Sequence, residues 1–212
     1  MPRILAFACP LCLLPVAAPV MADCLEEVRG LYQTGGPHDP FTRLNRREIT
    51  VSLHPDGSTS PYSDVLWDGA IKSRNCYPGG CALSIGPMSW TASGPEGPWT
   101  AGADAYSGVD PETFARATTE RHIASILSAE CLGEVDLDGA PALAYRFISK
   151  TEPNEFGAWW GGDYTQWFDP QSRLPLRTEI AGFHGSWAPE PSKDVLVTTY
   201  EIDETIRLDP PG

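Results

Sequence analysis

The residue types that most often perform chemistry are few in this sequence and lie far apart. No nucleophile-elbow, zinc-protease, phosphate-loop or dinucleotide-binding motif occurs. Residues 136–139 (Asp-Leu-Asp-Gly) begin like a calcium loop, but the later ligands are missing, so a tight hairpin is the better interpretation. The four histidines lie near turns or on the flank of a helix, where a side chain is more often solvated than catalytic. They are His38, His54, His122 and His184. The sequence therefore predicts no enzyme, no catalytic residue, no metal and no cofactor.

Cysteines are the second chemically active group, and their spacing is informative. Cys76 and Cys81 flank Tyr-Pro-Gly-Gly, whose turn-forming residues would bring the two sulfurs together across a hairpin. Cys24 then pairs with Cys131 by elimination. A redox or metal site is the alternative, but catalytic dithiols prefer two intervening residues. We expect two disulfides, which are typical of exported proteins.

Aromatic residues cluster around a glycine pair in the sequence. Trp159 and Trp160 precede Gly161-Gly162, and Tyr164 and Trp167 follow. Adjacent residues of a strand point to opposite faces, so the two tryptophans need two apolar environments. Core packing on both faces of a covered sheet is the favoured explanation. A bound acyl chain or carbohydrate is the alternative.

The first residues indicate export. A short positive segment ending at Arg3 precedes an apolar stretch, residues 4–20, and Val20-Met21-Ala22 suits a signal peptidase. Three prolines interrupt the stretch, which is also short for a transmembrane span. We expect cleavage after Ala22 and a single soluble domain, residues 23–212, without stable membrane insertion.

Charge excludes one class of partner. The chain has 15 basic and 28 acidic residues, a formal charge of −13. Nucleic acid binding requires a clustered basic surface, and the only dense basic group is Arg43, Arg46 and Arg47. We interpret these arginines as the solvated approach to a strand, and we expect no nucleic acid partner.

The elements that would position these residues are mainly strands. Helices are expected at residues 23–33 and from Asp110 to about Glu130, where Asp110 is the N-cap and Pro111 the first helical residue. Alternating apolar residues predict seven to ten strands, including a hairpin around Asp138-Gly139 and a last strand from Leu196 to Leu208. The pattern predicts an α+β fold, a curved antiparallel sheet under a helical cover.

The C-terminal third resembles a known family. Residues 163–170 (DYTQWFDP), 174–179 (LPLRTE) and 199–203 (TYEID) resemble the bacterial lipoprotein-carrier superfamily, the LolA-like fold of outer-membrane lipoprotein sorting. The resemblance covers residues 134–210 by motif and the earlier part by the order of its elements. It implies an incomplete β-barrel covered by two helices, with an apolar cavity for acyl chains.

The resemblance also implies a function. It identifies a non-enzymatic carrier in the bacterial periplasm for a lipid, a lipidated protein or another apolar ligand, expected to be a monomer. An envelope interaction module with a filled core, using Trp159 or Trp160 against a partner, is the alternative. The expected lining of the cavity is Leu143, Tyr145, Phe147, Trp160, Tyr164, Trp167, Tyr200 and Ile202.

Overall fold

The computed structural model describes residues 21–154 and 157–212. The expected leader covers residues 1–22, and its first 20 residues lie outside this part of the chain. Among the described residues, no helix combines the length and apolar character needed to cross a membrane.

The described part of the chain contains two helices. Helix α1 spans Met21–Gly30, and its buried side chains Cys24 and Val28 follow one face of the helix. Helix α2 spans Pro111–Ser125, and the side chain of Asp110 caps it by accepting a hydrogen bond from the backbone N–H of Thr113 at 2.9 Å. The predicted start of α2 is therefore confirmed.

The predicted end of α2 is wrong, because the helix stops at Ser125 rather than near Glu130. Ile126 adopts an extended conformation, is fully buried, and pairs with Ser149 of a neighbouring strand. Strand pairing and burial of Ile126 outweigh the local helical pattern, as tertiary contacts often do. The chain passes from the helix into the sheet without a loop.

Within residues 21–154 and 157–212, eleven strands form one antiparallel sheet. Their order is β6-β5-β4-β3-β2-β1-β11-β10-β9-β8-β7, so β6 and β7 are open edges and the barrel is incomplete. The α+β architecture expected from the sequence is confirmed, with more strands than expected. The strands are β1 (Arg46–Leu53), β2 (Thr59–Trp67), β3 (Lys72–Tyr77), β4 (Gly80–Ile85), β5 (Met88–Ala92), β6 (Thr100–Ala101), β7 (Ile126–Leu137), β8 (Ala140–Lys150), β9 (Trp160–Phe168), β10 (Pro175–Gly185) and β11 (Val195–Ile202).

The last strand is shorter than predicted. Strand β11 ends at Ile202, and the carboxylate of Asp203 accepts a hydrogen bond from the backbone N–H of Thr205 at 2.8 Å. This turn removes Ile206 and Leu208 from the sheet. A side chain that bonds its own backbone two residues later favours a turn over a ladder.

The helices lie on one face of the sheet, which we call the inner face. Helix α1 packs on β7, where the Cys24–Cys131 disulfide joins them with a Cα–Cα distance of 5.6 Å. Beneath it lies a core formed with the side chains of Tyr145, Phe147 and Phe168. Cys131 is therefore within a strand, whereas the sequence placed it just after the helix.

The second disulfide closes the β3–β4 hairpin. Cys76 and Cys81 are directly paired in the ladder, with a Cα–Cα distance of 4.1 Å. Both disulfides expected from the sequence are thus present in the structure.

Candidate functional site

Four of the residues expected to line a cavity lie instead in packed surroundings below α1. Tyr145, Phe147 and Tyr164 are buried in the core cluster, and Leu143 packs against it. The rings of Phe147 and Tyr164 are stacked with centroids 5.0 Å apart. The hydroxyl of Tyr145 donates a hydrogen bond to Glu27 at 2.5 Å. Side chains of the protein itself fill this half of the inner face.

The other four expected residues are distributed over both faces. Trp167 lies on the outer face, because its neighbours Gln166 and Phe168 are buried on the inner face. There the guanidinium of Arg177 lies 5.8 Å from the centre of its ring. Trp160 lies near Arg121 of α2, also at 5.8 Å. Tyr200 and Ile202 lie on the inner face: the Tyr200 hydroxyl is 2.8 Å from that of Thr178, and Ile202 lines a pocket of about 250 Å³. The described contacts therefore place the eight residues in several different surroundings.

A cavity of about 280 Å³ lies under α2, over the other half of the sheet. The sheet contributes Trp67, Ser73 and Ser84, from β2, β3 and β4. The segment after α1 contributes His38, Pro40 and Arg43, and the α2 region contributes Tyr106, Phe114 and Thr118. Helix α2 also contacts β7 and β8 near the opposite edge. One helix reaches both halves of the sheet because the sheet curves around it.

Arg43 is the charged residue of this cavity. Its guanidinium lies 4.1 Å from the centre of the Trp67 ring, and its Nε is buried without a hydrogen-bond partner. Burial, and next the positive charge of Arg46, lower the pKa of Arg43 to about 10. The Nε1 of Trp67 is likewise buried and unpartnered. Two N–H groups beside the cavity therefore lack a hydrogen-bond partner.

The prediction that the three clustered arginines are solvated is wrong for two of them. Arg46 is only 4% exposed and forms an ion pair with Glu48 at 2.6 Å. Arg43 packs on an indole, as described above. Arg47 alternates to the outer face, where it pairs with Asp64 at 2.6 Å. The apolar surface that covers Arg43 and Arg46 comes from distant parts of the chain, so no local signal indicated their burial.

His38 lines the cavity and is buried, so the prediction that it is solvated is wrong. His122 of α2 is partly buried and lies beside His38 across the ring of Tyr32. The Tyr32 ring stacks on His38, with centroids 4.9 Å apart, and meets His122 edge-on at 4.4 Å. Burial lowers the pKa of His122 to about 4 and that of His38 well below its usual value. Both are neutral near pH 7. Gln166 donates to the Tyr32 hydroxyl at 2.8 Å and links this cluster to β9.

The remaining histidines are remote from the cavity. His54 lies 3.1 Å from a carboxylate oxygen of Asp194, and His184 lies 2.7 Å from the carbonyl oxygen of Gly182. Within the described part of the chain, no three His, Cys, Asp or Glu side chains form a group suited to a metal ion. In the described part of the chain, the cavity under α2 combines aromatic walls with an arginine and two serines.

Local backbone geometry positions Arg43. The carboxylate of Asp39 accepts hydrogen bonds from the backbone N–H groups of Gly35 and Phe41, at 2.9 and 3.0 Å. Gly36 packs so closely on the end of α1 that a Cβ would overlap the carbonyl oxygens of Gly30 and Leu31. These contacts fix the segment that carries His38 and Arg43 against the inner face.

Comparison with known proteins gives similarity only at the level of structure. No family model and no curated protein sequence matches the chain. The lipoprotein LppX of Mycobacterium tuberculosis is 13% identical, with a TM-score of 0.45 over 87% of this chain and 97% of its own. LprF of Mycobacterium bovis is 12% identical, with a TM-score of 0.44 over 90% and 94%.

A third solved structure, a DUF1329 family protein of Desulfovibrio piger, is 11% identical, with a TM-score of 0.30 over 86% of this chain and 92% of its own. At such identities and TM-scores, the matches carry no inference about ligand, client or location.

Proposed function

We propose that this chain is an exported, non-enzymatic binding or carrier protein that holds a lipid or another apolar ligand under α2. The observation that carries the proposal is the cavity of about 280 Å³ between α2 and the inner face of β2, β3 and β4. Its walls include the rings of Trp67, Tyr106 and Phe114. Small-molecule sites are typically concave, mostly apolar and furnished with a few polar groups.

The size of the cavity favours a slender ligand. Volumes of roughly 300–1,000 Å³ are usual for small-molecule sites, so this cavity is at the lower end. Tyr200 and Ile202 extend the inner face beyond Arg43, and we assign them to the wall that a longer ligand would reach. We assign Leu143, Tyr145, Phe147 and Tyr164 to the packed floor under α1. A lipidated protein would enter by its acyl chain.

The proposal places the protein in the periplasm as a monomer. Two disulfides are typical of an oxidising compartment, and the first 22 residues have the composition of a cleaved export leader. The large excess of acidic residues suits a protein that does not adsorb to an anionic membrane.

The test is native mass spectrometry of the protein isolated from a periplasmic fraction without detergent, followed by organic extraction. Wild-type protein should carry an extractable apolar mass. Ser84→Phe, which fills the cavity, should reduce its occupancy at least fivefold. Ser128→Phe places the same side chain on the exposed part of β7 and should change nothing. Protein without bound mass that also fails to take up added fatty acid would refute the proposal.

An interaction module of the envelope is the second candidate. The tryptophans predicted to serve it are partly covered, since Trp159 packs edge-on against His184. Trp187 is instead 63% exposed and is the feature that favours this candidate. A protein that never binds ligand, but loses a pull-down partner upon Trp187→Ser, would support it.

A further inference from the structure

Arg43 differs from its neighbours Arg46 and Arg47 because no ion-pair partner of Arg43 occurs among the described residues. Arg46 pairs with Glu48 and Arg47 pairs with Asp64. Across residues 21–154 and 157–212, no carboxylate lies within ion-pair distance of Arg43. A mostly buried, unpaired cation is costly, so proteins seldom retain one without a function.

The carboxylates nearest to Arg43 are already engaged. Glu48 accepts hydrogen bonds from the guanidinium of Arg46. Asp39 accepts hydrogen bonds from two backbone N–H groups and from the Thr42 hydroxyl at 2.9 Å. Neither side chain is free to neutralise Arg43 without leaving its present partners. Glu48 and Asp39 attract Arg43 only from beyond ion-pair distance, so a direct anionic partner would have to come from outside the described part of the chain.

The surroundings of Arg43 suit an anion with an apolar body. Arg43, Trp67, Ser73 and Ser84 line the cavity, and the Nε of Arg43 and the Nε1 of Trp67 are buried beside it without a hydrogen-bond partner. Phe114 contributes hydrocarbon surface to the same space. Guanidinium groups bind carboxylate and phosphate oxygens with two parallel hydrogen bonds. Removal from water strengthens such pairing.

We propose that the ligand under α2 is a single-chain anionic amphiphile, whose carboxylate or phosphate group pairs with Arg43 while its chain lies against Phe114. This inference rests on the proposed function and specifies its ligand class. The volume supports one chain: an engineered apolar cavity of about 150 Å³ holds benzene, and this cavity is about twice that size. Burial also lowers the pKa of Arg43, which a bound anion would reverse.

Matched ten-carbon probes test the head group. Decanoate, decyl phosphate and 1-decanol are titrated below their aggregation concentrations, and binding is followed by tryptophan fluorescence and calorimetry. Wild-type protein should bind at least one anionic probe ten or more times tighter than 1-decanol. The formal charge of −13 opposes anion binding in general, so such a preference has to arise locally. Decanoate and decyl phosphate distinguish a fatty-acid head group from a phosphate head group.

Variants of neighbouring arginines locate the effect. Arg43→Met should weaken binding of the preferred anion at least tenfold and leave 1-decanol within about twofold. Arg43→Lys keeps the charge and should retain part of the preference. Arg47→Met removes the same charge from the outer face and should leave all affinities unchanged. Circular dichroism verifies that each variant is folded, and the wild-type preference remains decisive if Arg43→Met does not fold.

The outcomes separate this inference from the proposed function. Equal binding of decanoate, decyl phosphate and 1-decanol, unaffected by Arg43→Met, overturns the anionic head group and leaves the carrier function standing. Failure of wild-type protein to bind any probe, with no co-purified ligand, overturns both. Binding of inorganic phosphate as tightly as decyl phosphate overturns the amphiphile, because the chain would then contribute nothing.

Discussion

Replacing His122 by phenylalanine should make folding much less sensitive to acid. His122 lies on α2, where its ring meets Tyr32 edge-on and its Nε2 is buried without a hydrogen-bond partner. Phenylalanine preserves an aromatic contact with Tyr32 and cannot take up a proton. The variant therefore removes the titration while keeping most of the packing.

The magnitude follows from the pKa of His122. Burial lowers it to about 4, whereas histidine in an unfolded chain titrates near about 6.5. Between these values the unfolded chain binds a proton that the folded protein does not, so the free energy of unfolding decreases as the pH falls. Above about pH 6.5 His122 is neutral in both the folded and the unfolded chain, so the folded protein loses no stability through its titration. A difference of about 2.5 pKa units corresponds to roughly 3 kcal/mol lost by pH 4.

Urea unfolding at pH 7.5 and pH 4, followed by far-ultraviolet circular dichroism, measures this loss. Wild-type protein should lose roughly 3 kcal/mol more than His122→Phe over the interval. His38 remains in the variant and its pKa is also lowered by burial, so some acid sensitivity should persist. Parallel losses in the two proteins would refute the buried, neutral state of His122.

Two further predictions concern stability. Replacing both cysteines of the Cys24–Cys131 disulfide by alanine should lower the free energy of unfolding by about 4–5 kcal/mol, because the disulfide closes a loop of 107 residues. Removing the Cys76–Cys81 disulfide, which closes a loop of 5 residues, should lower it by roughly 2 kcal/mol. Urea unfolding measures both losses, and equal losses would contradict this account. Gly36→Ala should cost at least about 2 kcal/mol in thermal unfolding, because its Cβ would overlap carbonyl oxygens at the end of α1. Gly30→Ala, where a Cβ meets open space, is the control and should be close to neutral.

Features set by neighbouring residues could be predicted from the sequence. The start of α2 depends on Asp110 and Pro111, and the Cys76–Cys81 disulfide depends on the turn between its own cysteines. The alternation of Tyr145 and Phe147 on one face of β8 is likewise a period-two pattern. Each of these signals is complete within a few residues, so one sequence is sufficient to read it.

The site depended on contacts between residues that are distant in sequence. Trp67 covers Arg43, and Gln166 reaches Tyr32 across 134 positions. A strand pattern specifies which side chains share a face, but not what lies over that face. The sequence by itself thus determined the start of α2, the two disulfides and the sheet-and-helix class of the fold. Only the tertiary structure placed the cavity, buried Arg43 and His122, and ended α2 at Ser125, because burial is decided by whichever remote segments pack together.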